Sequence, residues 1–253
     1  MLVTTAAIVL HAFDYSETSR IVRLATREAG VQSALARGAK RARSRFGSAF
    51  GLFAEGVAQL HVKEGRDLQT LSAFDVVRVR TELGTDLGRF AGASAVAELV
   101  LRFGAENESG ESLYDALVAA LDAIAAAAPE RATEASLAGA WHLVAQLGFA
   151  PSVHTCAACH QQVGADEDLP FSLAAGGVLC ASCALAHVHE RKLPAAARAC
   201  IEAWSAGAGV DELGDRDARA HQRLLRRFLQ HHVSDGRALR AFDAWEKGAW
   251  VAT

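Results

Sequence analysis

The sequence predicts an α+β protein in which a five-stranded N-terminal β-barrel precedes an α-helical domain carrying an inserted four-cysteine module. Three observations carry that reading: the hydrophobic period changes near residue 80, the charge balance changes at the same place, and two CxxC pairs lie between residues 156 and 183. At 253 residues and 51% hydrophobic, the chain is long enough for two cores, since about 100–200 residues make one domain. The expected division is residues 1–80 and residues 81–253, the second including the module at 152–190.

Before residue 80 the pattern alternates with period two. Leu52, Ala54, Gly56, Ala58, Leu60 and Val62 line one face of a strand, while Glu55, Gln59, His61 and Lys63 mostly face away. TTAAIVLHAF, SRIVRLATRE, VQSALARGAK and LSAFDVVRVR supply the other strands, separated by DYSE, Gly30, a basic loop and KEGRD. Five short strands in a segment of this length fit an OB-type barrel better than a sandwich.

After residue 80 the period becomes helical. Phe90, Ala93, Ala97, Val100 and Leu101 form one apolar stripe, and Leu113, Leu117, Leu121 and Ile124 a second. A third, Leu137, Trp141, Val144 and Leu147, ends at Gly148, a C-cap. GAENESGE (104–111) reads as the loop between the first two helices. Further on, His221, Leu224, Leu225, Phe228, Leu229 and His232 recur at helical spacing, with Arg219, Arg223, Arg226 and Arg227 mostly on other faces.

The longest apolar run, AALDAIAAAA (119–128), is interrupted by Asp122 and is far shorter than the roughly 20 residues that span a bilayer. MLVTTAAIVLHAFD lacks a basic n-region and reads as a strand, not a secretory signal. A cytoplasmic location without membrane contact is therefore expected. In that compartment paired cysteines hold metal more readily than they form disulfides.

A CxxC turn brings two thiolates to one ion, and a second pair after about 15–20 residues supplies the other half of a tetrahedron. Cys156, Cys159, Cys180 and Cys183 have that spacing and predict one structural Zn²⁺ per chain, because four thiolates leave no position open for water or substrate. His154, His160 and His187 lie close enough to replace one ligand. Cys200, in LPAAARACIEAW, falls in an apolar helical pattern and reads as a small core residue.

Catalytic signatures are missing. There is no HExxH, GxSxG, GxGxxG or GxxxxGK[ST], and neither CxxC is preceded by the Pro or accompanied by the HxE of a zinc deaminase. No nucleophile or general base is nominated, so a non-enzymatic protein is expected.

What the N-terminal segment offers instead is charge. The net charge of −3 divides unevenly, because residues 1–80 hold twelve Lys+Arg against seven Asp+Glu, a net of +5. In RGAKRARSRFG, Arg37, Lys40, Arg41, Arg43 and Arg45 place five positive charges in nine residues of a loop between strands. Arginine outnumbers lysine 22 to 4 along the chain, as in GC-rich genomes, so density and place carry the reading. Such a loop suits a phosphate backbone, which it binds without regard to sequence. Phe46 beside it is either a base-stacking ring or an anchor for the next strand. Arg78, Arg80 and Arg89, near the domain boundary, are expected to matter less to DNA.

These pieces together carry a resemblance. Y-x-E-x-S-R-I-V-x-L-x-T-x-E-x-G (Tyr15 to Gly30), then RGAKRARSRFG, an AELVLRF helix, L-G-F-A-P (147–151) and CxxC…F-S…GG-x-x-C-x-x-C are similar, in order and spacing, to the RecO family of bacterial recombination mediators. The segment DGRALRAFDAW departs from the family's Lys-Ser-Arg-like stretch. The resemblance implies an OB-fold domain followed by a helical domain with a zinc module. It also implies binding of single- and double-stranded DNA, strand annealing, and loading of RecA onto protein-coated strands, together with RecR and the single-stranded-DNA-binding protein, in a nucleoid-associated setting. That protein's acidic, hydrophobic-ended tail needs an apolar pocket flanked by positive charge, and the Arg223, Arg226, Arg227 face is the candidate. The alternative is a zinc-ribbon transcription or translation factor contacting RNA or protein.

Overall fold

The computed structural model describes residues 1–63, 65–106, 110–188, 192–209, 213–232 and 238–247. Four stretches read from the sequence fall partly outside these residues: position 64 of KEGRD, 107–109 of the acidic loop, 189–190 of the cysteine module, and 235–237 of DGRALRAFDAW.

Five strands, β1 (Leu2–Tyr15), β2 (Ser19–Thr26), β3 (Gly30–Ala36), β4 (Glu55–His61) and β5 (Gln69–Arg78), close into a barrel in the order β1-β2-β3-β5-β4. Every neighbouring pair is antiparallel except β3 and β5. This five-stranded closed barrel is OB-like. Alternation supplies its core: Ala7, Val9, Val22, Leu24, Ala34, Leu60 and Leu71 point inward. β4 begins at Glu55, so Leu52, expected on the strand's inner face, lies outside it and is exposed.

One irregularity re-aims β1. Its register against β2 shifts between Val9 and His11. Before the shift Ala7 and Val9 face the barrel core; after it Ala12 packs inward, while His11, Phe13 and Tyr15 are exposed. Ile8 and Leu10, on the other side of the strand, join the core of the helical region.

That region begins with α1 (Leu87–Phe103), α2 (Glu111–Ala126) and α3 (Ala132–Gln146), whose apolar stripes share one core. Trp141 is fully buried, with its ring centroid 5.6 Å from that of Phe228; its replacement by Ala would cost about 3–5 kcal/mol. Gly148, at φ +83°, ends α3, and the Phe149 amide donates back to the Val144 carbonyl at 3.0 Å, the Schellman pattern. The cysteine module follows, with β6 (Leu169–Ser172), β7 (Gly177–Val178), the short α4 (Ala181–Ala184) and β8 (Lys192–Leu193), its sheet ordered β7-β6-β8. Then come α5 (Ala195–Ser205), α6 (Asp215–His232) and α7 (Arg240–Lys247). The Glu98 carboxylate of α1 accepts the first three amides of α7, satisfying N–H groups that have no partner within the helix.

Barrel and helices are clamped together by Arg80. Its side chain, 1% exposed, donates to Asp122 on α2 at 2.6 Å and to Glu55 on β4 at 2.7 Å. It also reaches the Phe53 carbonyl at 3.2 Å. Arg78 bonds the other oxygen of Asp122 at 2.7 Å, and the Arg89 guanidinium Nε holds the Ala127 carbonyl at the end of α2 at 2.9 Å. All three of these arginines thus hold partners within the protein, Arg80 from a buried position, and they make a poor neutral comparison for DNA binding. Among the described residues no helix is long and apolar enough to cross a membrane.

Candidate nucleic-acid interface and metal centre

The connection from β3 to β4, residues 37–54, runs as a series of turns. Gly38, at φ +75°, turns the chain out of β3, a conformation that a side chain would strain. The connection is anchored from within. Phe46 is 3% exposed, and its ring lies 5.1 Å from that of Phe50, which in turn packs 6.1 Å from Phe74. Phe46 is therefore the core anchor and is not available to stack on a base. The loop is also tied to the β1–β2 turn: the Lys40 amide donates to the Thr18 carbonyl at 3.0 Å, and its ammonium meets Asp14 at 2.8 Å. Lys40, together with Arg20 at 3.1 Å, holds the Asp14 carboxyl below its ordinary range.

What the anchors leave outside is cationic. Arg37, Arg41, Arg43 and Arg45 are exposed and have no carboxylate partner among the described residues. Arg45 lies over the outer side of the Phe46 ring, 5.1 Å from its centroid. Of the five charges expected here, Lys40 meets Asp14, a carboxylate it shares with Arg20, and the other four are exposed without a carboxylate partner among the described residues. A loop pinned by buried phenylalanines loses little freedom when it does so.

The four cysteines converge. Their sulfurs all lie within 4.8 Å of one another, and Cys159 Sγ is 3.8 Å from Cys180 Sγ. Zn–S bonds of about 2.3 Å in a tetrahedron place sulfurs roughly 3.8 Å apart, whereas a disulfide would bring them to about 2.05 Å. Burial works against a Cys156 thiolate, but backbone N–H groups of Cys180, Cys159 and Ala158 outweigh it and pull the thiol down to about 6. The neighbouring Cys180 side chain pushes Cys183 up to about 12. Thiols this close need a cation between them before all can ionise, so the donor set fits a closed four-sulfur metal site.

No histidine joins that cluster among the described residues. His154 pairs with Glu202 at 2.6 Å instead. Cys200 sits on α5, half-buried against the helical core. A residue the periodicity did not single out holds the module in place: Arg198, 4% exposed, donates to the carbonyls of Val153, Gly164, Ala165 and Glu167 at 2.6–2.9 Å. Its one visible signal is an arginine in the largely apolar LPAAARACIEAW, whose other charge is Glu202.

A groove of about 600 Å³ opens between the module's sheet, α5 and α6. Phe171, Leu193 and Leu224 line it, with Lys192, Arg223 and Arg227 also on its wall and Asp217 its one carboxylate among the described residues. Arg226 does not line it; its guanidinium pairs with Glu246 on α7. The three arginines read as one face thus divide, two to the groove and one to the α6–α7 contact. His221, at the groove's inner wall, stacks edge-on against Trp204 at 4.8 Å, and burial pulls it down to about 4.

Comparison with known proteins joins these features. The profile "Recombination protein O N terminal" matches residues 1–80, and "Recombination protein O C terminal" matches residues 84–240. The DNA repair protein RecO of Anaeromyxobacter sp. (strain K) is 35% identical over 245 residues, covering 95% of each chain. That of Symbiobacterium thermophilum is 37% identical over 178 residues, covering 70% of this chain and 69% of the relative. That of Gloeobacter violaceus is 34% identical over 182 residues, covering 72% and 67%. With an OB-like barrel, a helical C-terminal region and a four-cysteine cluster under two matching profiles, this chain belongs to the RecO family of DNA repair proteins.

Proposed function

We propose that this chain is a non-catalytic recombination mediator, divided at residues 80 and 81, whose barrel binds single- and double-stranded DNA through Arg37, Arg41, Arg43 and Arg45. It anneals complementary strands and helps to load RecA onto single strands coated by the single-stranded-DNA-binding protein, working with RecR at the nucleoid. The observation that supports this most is the cluster of exposed arginines, without a carboxylate partner among the described residues, on an OB-like barrel in a chain of this family. Phosphates answer such a cluster whatever the bases, which suits a protein that must act on any damaged sequence.

The cysteine site holds one structural Zn²⁺ through Cys156, Cys159, Cys180 and Cys183, and Arg198 secures the same module from the side of α5. With no open ligand position, the ion supplies fold and no chemistry. The groove beside α6 takes the acidic, hydrophobic-ended tail of the single-stranded-DNA-binding protein, its apolar end on Phe171, Leu193 and Leu224 and its carboxylates toward Arg223 and Arg227. Arg226 contributes by holding α7 against α6.

The test is annealing of complementary oligonucleotides coated with the cognate single-stranded-DNA-binding protein, with and without RecR. Acceleration without nucleotide turnover is expected. Annealing no faster than the coated strands achieve alone would refute the reading.

A further inference from the structure

We infer that the outer face of β1, through Phe13 and Tyr15, is a stacking platform for unpaired bases, so that the barrel holds a single strand by its bases as well as by its phosphates. The inference rests on the proposed DNA contact of the 37–45 loop and extends it to a surface of different chemistry.

The platform follows from the bulge in β1. Beyond the shift at Val9 and His11, alternate residues His11, Phe13 and Tyr15 turn outward, and the rings of His11 and Phe13 lie 5.6 Å apart. Phe13 is 43% exposed and Tyr15 50%. Phe13 pairs across the ladder with Ile21 on β2, and Ile21 with Leu35 on β3. Ile21 and Leu35 are half-buried, so an apolar band crosses three strands. Single exposed apolar residues need no explanation, but aromatic rings side by side above such a band mark a contact surface.

Charge identifies the occupant. β1 ends at the turn whose Thr18 carbonyl and neighbouring Asp14 carboxylate secure Lys40, so the arginine loop is fixed at the end of the aromatic row. A polyanion lying on Arg41, Arg43 and Arg45 passes that end. Exposed aromatics beside free cations are the combination that binds single-stranded nucleic acid. Spacing points the same way. Phe13 and Tyr15 are two strand residues apart, about 7 Å, twice the roughly 3.4 Å between successive bases along one strand of a duplex. A strand pulled off its own stack fits this spacing, whereas a duplex keeps its base faces stacked inside and offers none of them to a ring.

The test compares F13A/Y15A with R41A/R43A/R45A in the full chain by fluorescence anisotropy. The probes are an unstructured oligonucleotide of about 20 residues, longer than one OB-fold's site, and a duplex of equal length. Losing two stacked bases at 1 kcal/mol or more each predicts that F13A/Y15A binds the single strand roughly 30-fold more weakly. Duplex affinity should change less than about twofold, and the salt dependence not at all, because no phosphate contact is removed. F13L, which keeps the apolar packing and loses the ring, should weaken single-strand binding in the same direction with an unchanged melting temperature.

Equal losses on both probes would overturn the inference. So would wild-type single-strand affinity in a folded F13A/Y15A protein, which would give the face to a protein partner. The arginine variant separates the two readings. If it weakens neither probe, the loop contact fails; if it weakens both while F13A/Y15A changes nothing, only the platform fails.

Discussion

Replacing Arg80 by Met tests how the barrel is joined to the helices. The side chain is 1% exposed and bonds Glu55, Asp122 and the Phe53 carbonyl. Met fills part of its volume and bonds none of them, leaving two carboxylates facing each other at a partly buried contact. Removing one partner of a buried ion pair costs about 3–5 kcal/mol, a large share of the roughly 5–15 kcal/mol that holds a typical protein together. At 2–4 °C per kcal/mol for a chain of this size, the melting temperature should fall by about 10 °C. Arg78→Ala is the matched control: it removes a bond to the same Asp122 from a side chain that is 50% exposed, and such pairs contribute about 0–1 kcal/mol. Adding Asp122→Asn to Arg80→Met should recover part of the loss. Urea unfolding of the four proteins measures all of this, and an Arg80→Met cost no larger than that of Arg78→Ala would refute the reasoning.

Purified chain should carry one zinc by elemental analysis, and Cys180→Ser should lower the metal content and the melting temperature while weakening DNA binding only secondarily; full stability without metal would contradict a structural ion. His221 should make stability fall with acid. Its folded value of about 4 lies below the ordinary 6.5 because burial disfavours the charged form, with Asp217 opposing, so between those values the unfolded chain binds more protons and stability is lost as pH drops. The loss should reach about 2 kcal/mol by pH 5, read from urea midpoints, and should disappear in His221→Phe. Charge reversal at Arg223 and Arg227 should weaken binding of a peptide with an acidic, hydrophobic-ended tail at least about tenfold, whereas reversal at Arg226 should act mainly through stability; unchanged peptide affinity would remove the tail from the groove.

Much of the architecture is legible in the sequence because it depends on local pattern. The period-two text up to residue 80 and the helical stripes after it each bury one face, and they became barrel and helices. The cysteine site was equally legible, since two CxxC turns carry their geometry in their spacing. What stayed hidden depends on contacts between distant segments. Strict alternation from Ala7 and Val9 would have sent Phe13 into the barrel, and the one-residue shift after Val9 reversed it. Arg80 reads as one more basic residue at a strand end until Asp122, 42 positions away, is placed against it. Arg223 and Arg226 share a helix and a charge, yet one lines the groove and the other meets Glu246, which periodicity alone does not resolve. Phe46 had two readings in sequence, and burial against Phe50 decided between them.

The central claim is that the exposed arginines of the 37–45 loop track the DNA backbone, and the salt dependence of binding tests it most directly. R41A/R43A/R45A should bind unrelated single-stranded sequences more weakly by about the same factor, because phosphates carry no base identity. Each phosphate contact on a single strand contributes about −0.7 to the slope of log K against log salt, so losing three should flatten the slope by roughly 2. A folded triple variant that keeps wild-type affinity and wild-type slope would contradict the account, and the DNA would have to be bound elsewhere on the protein.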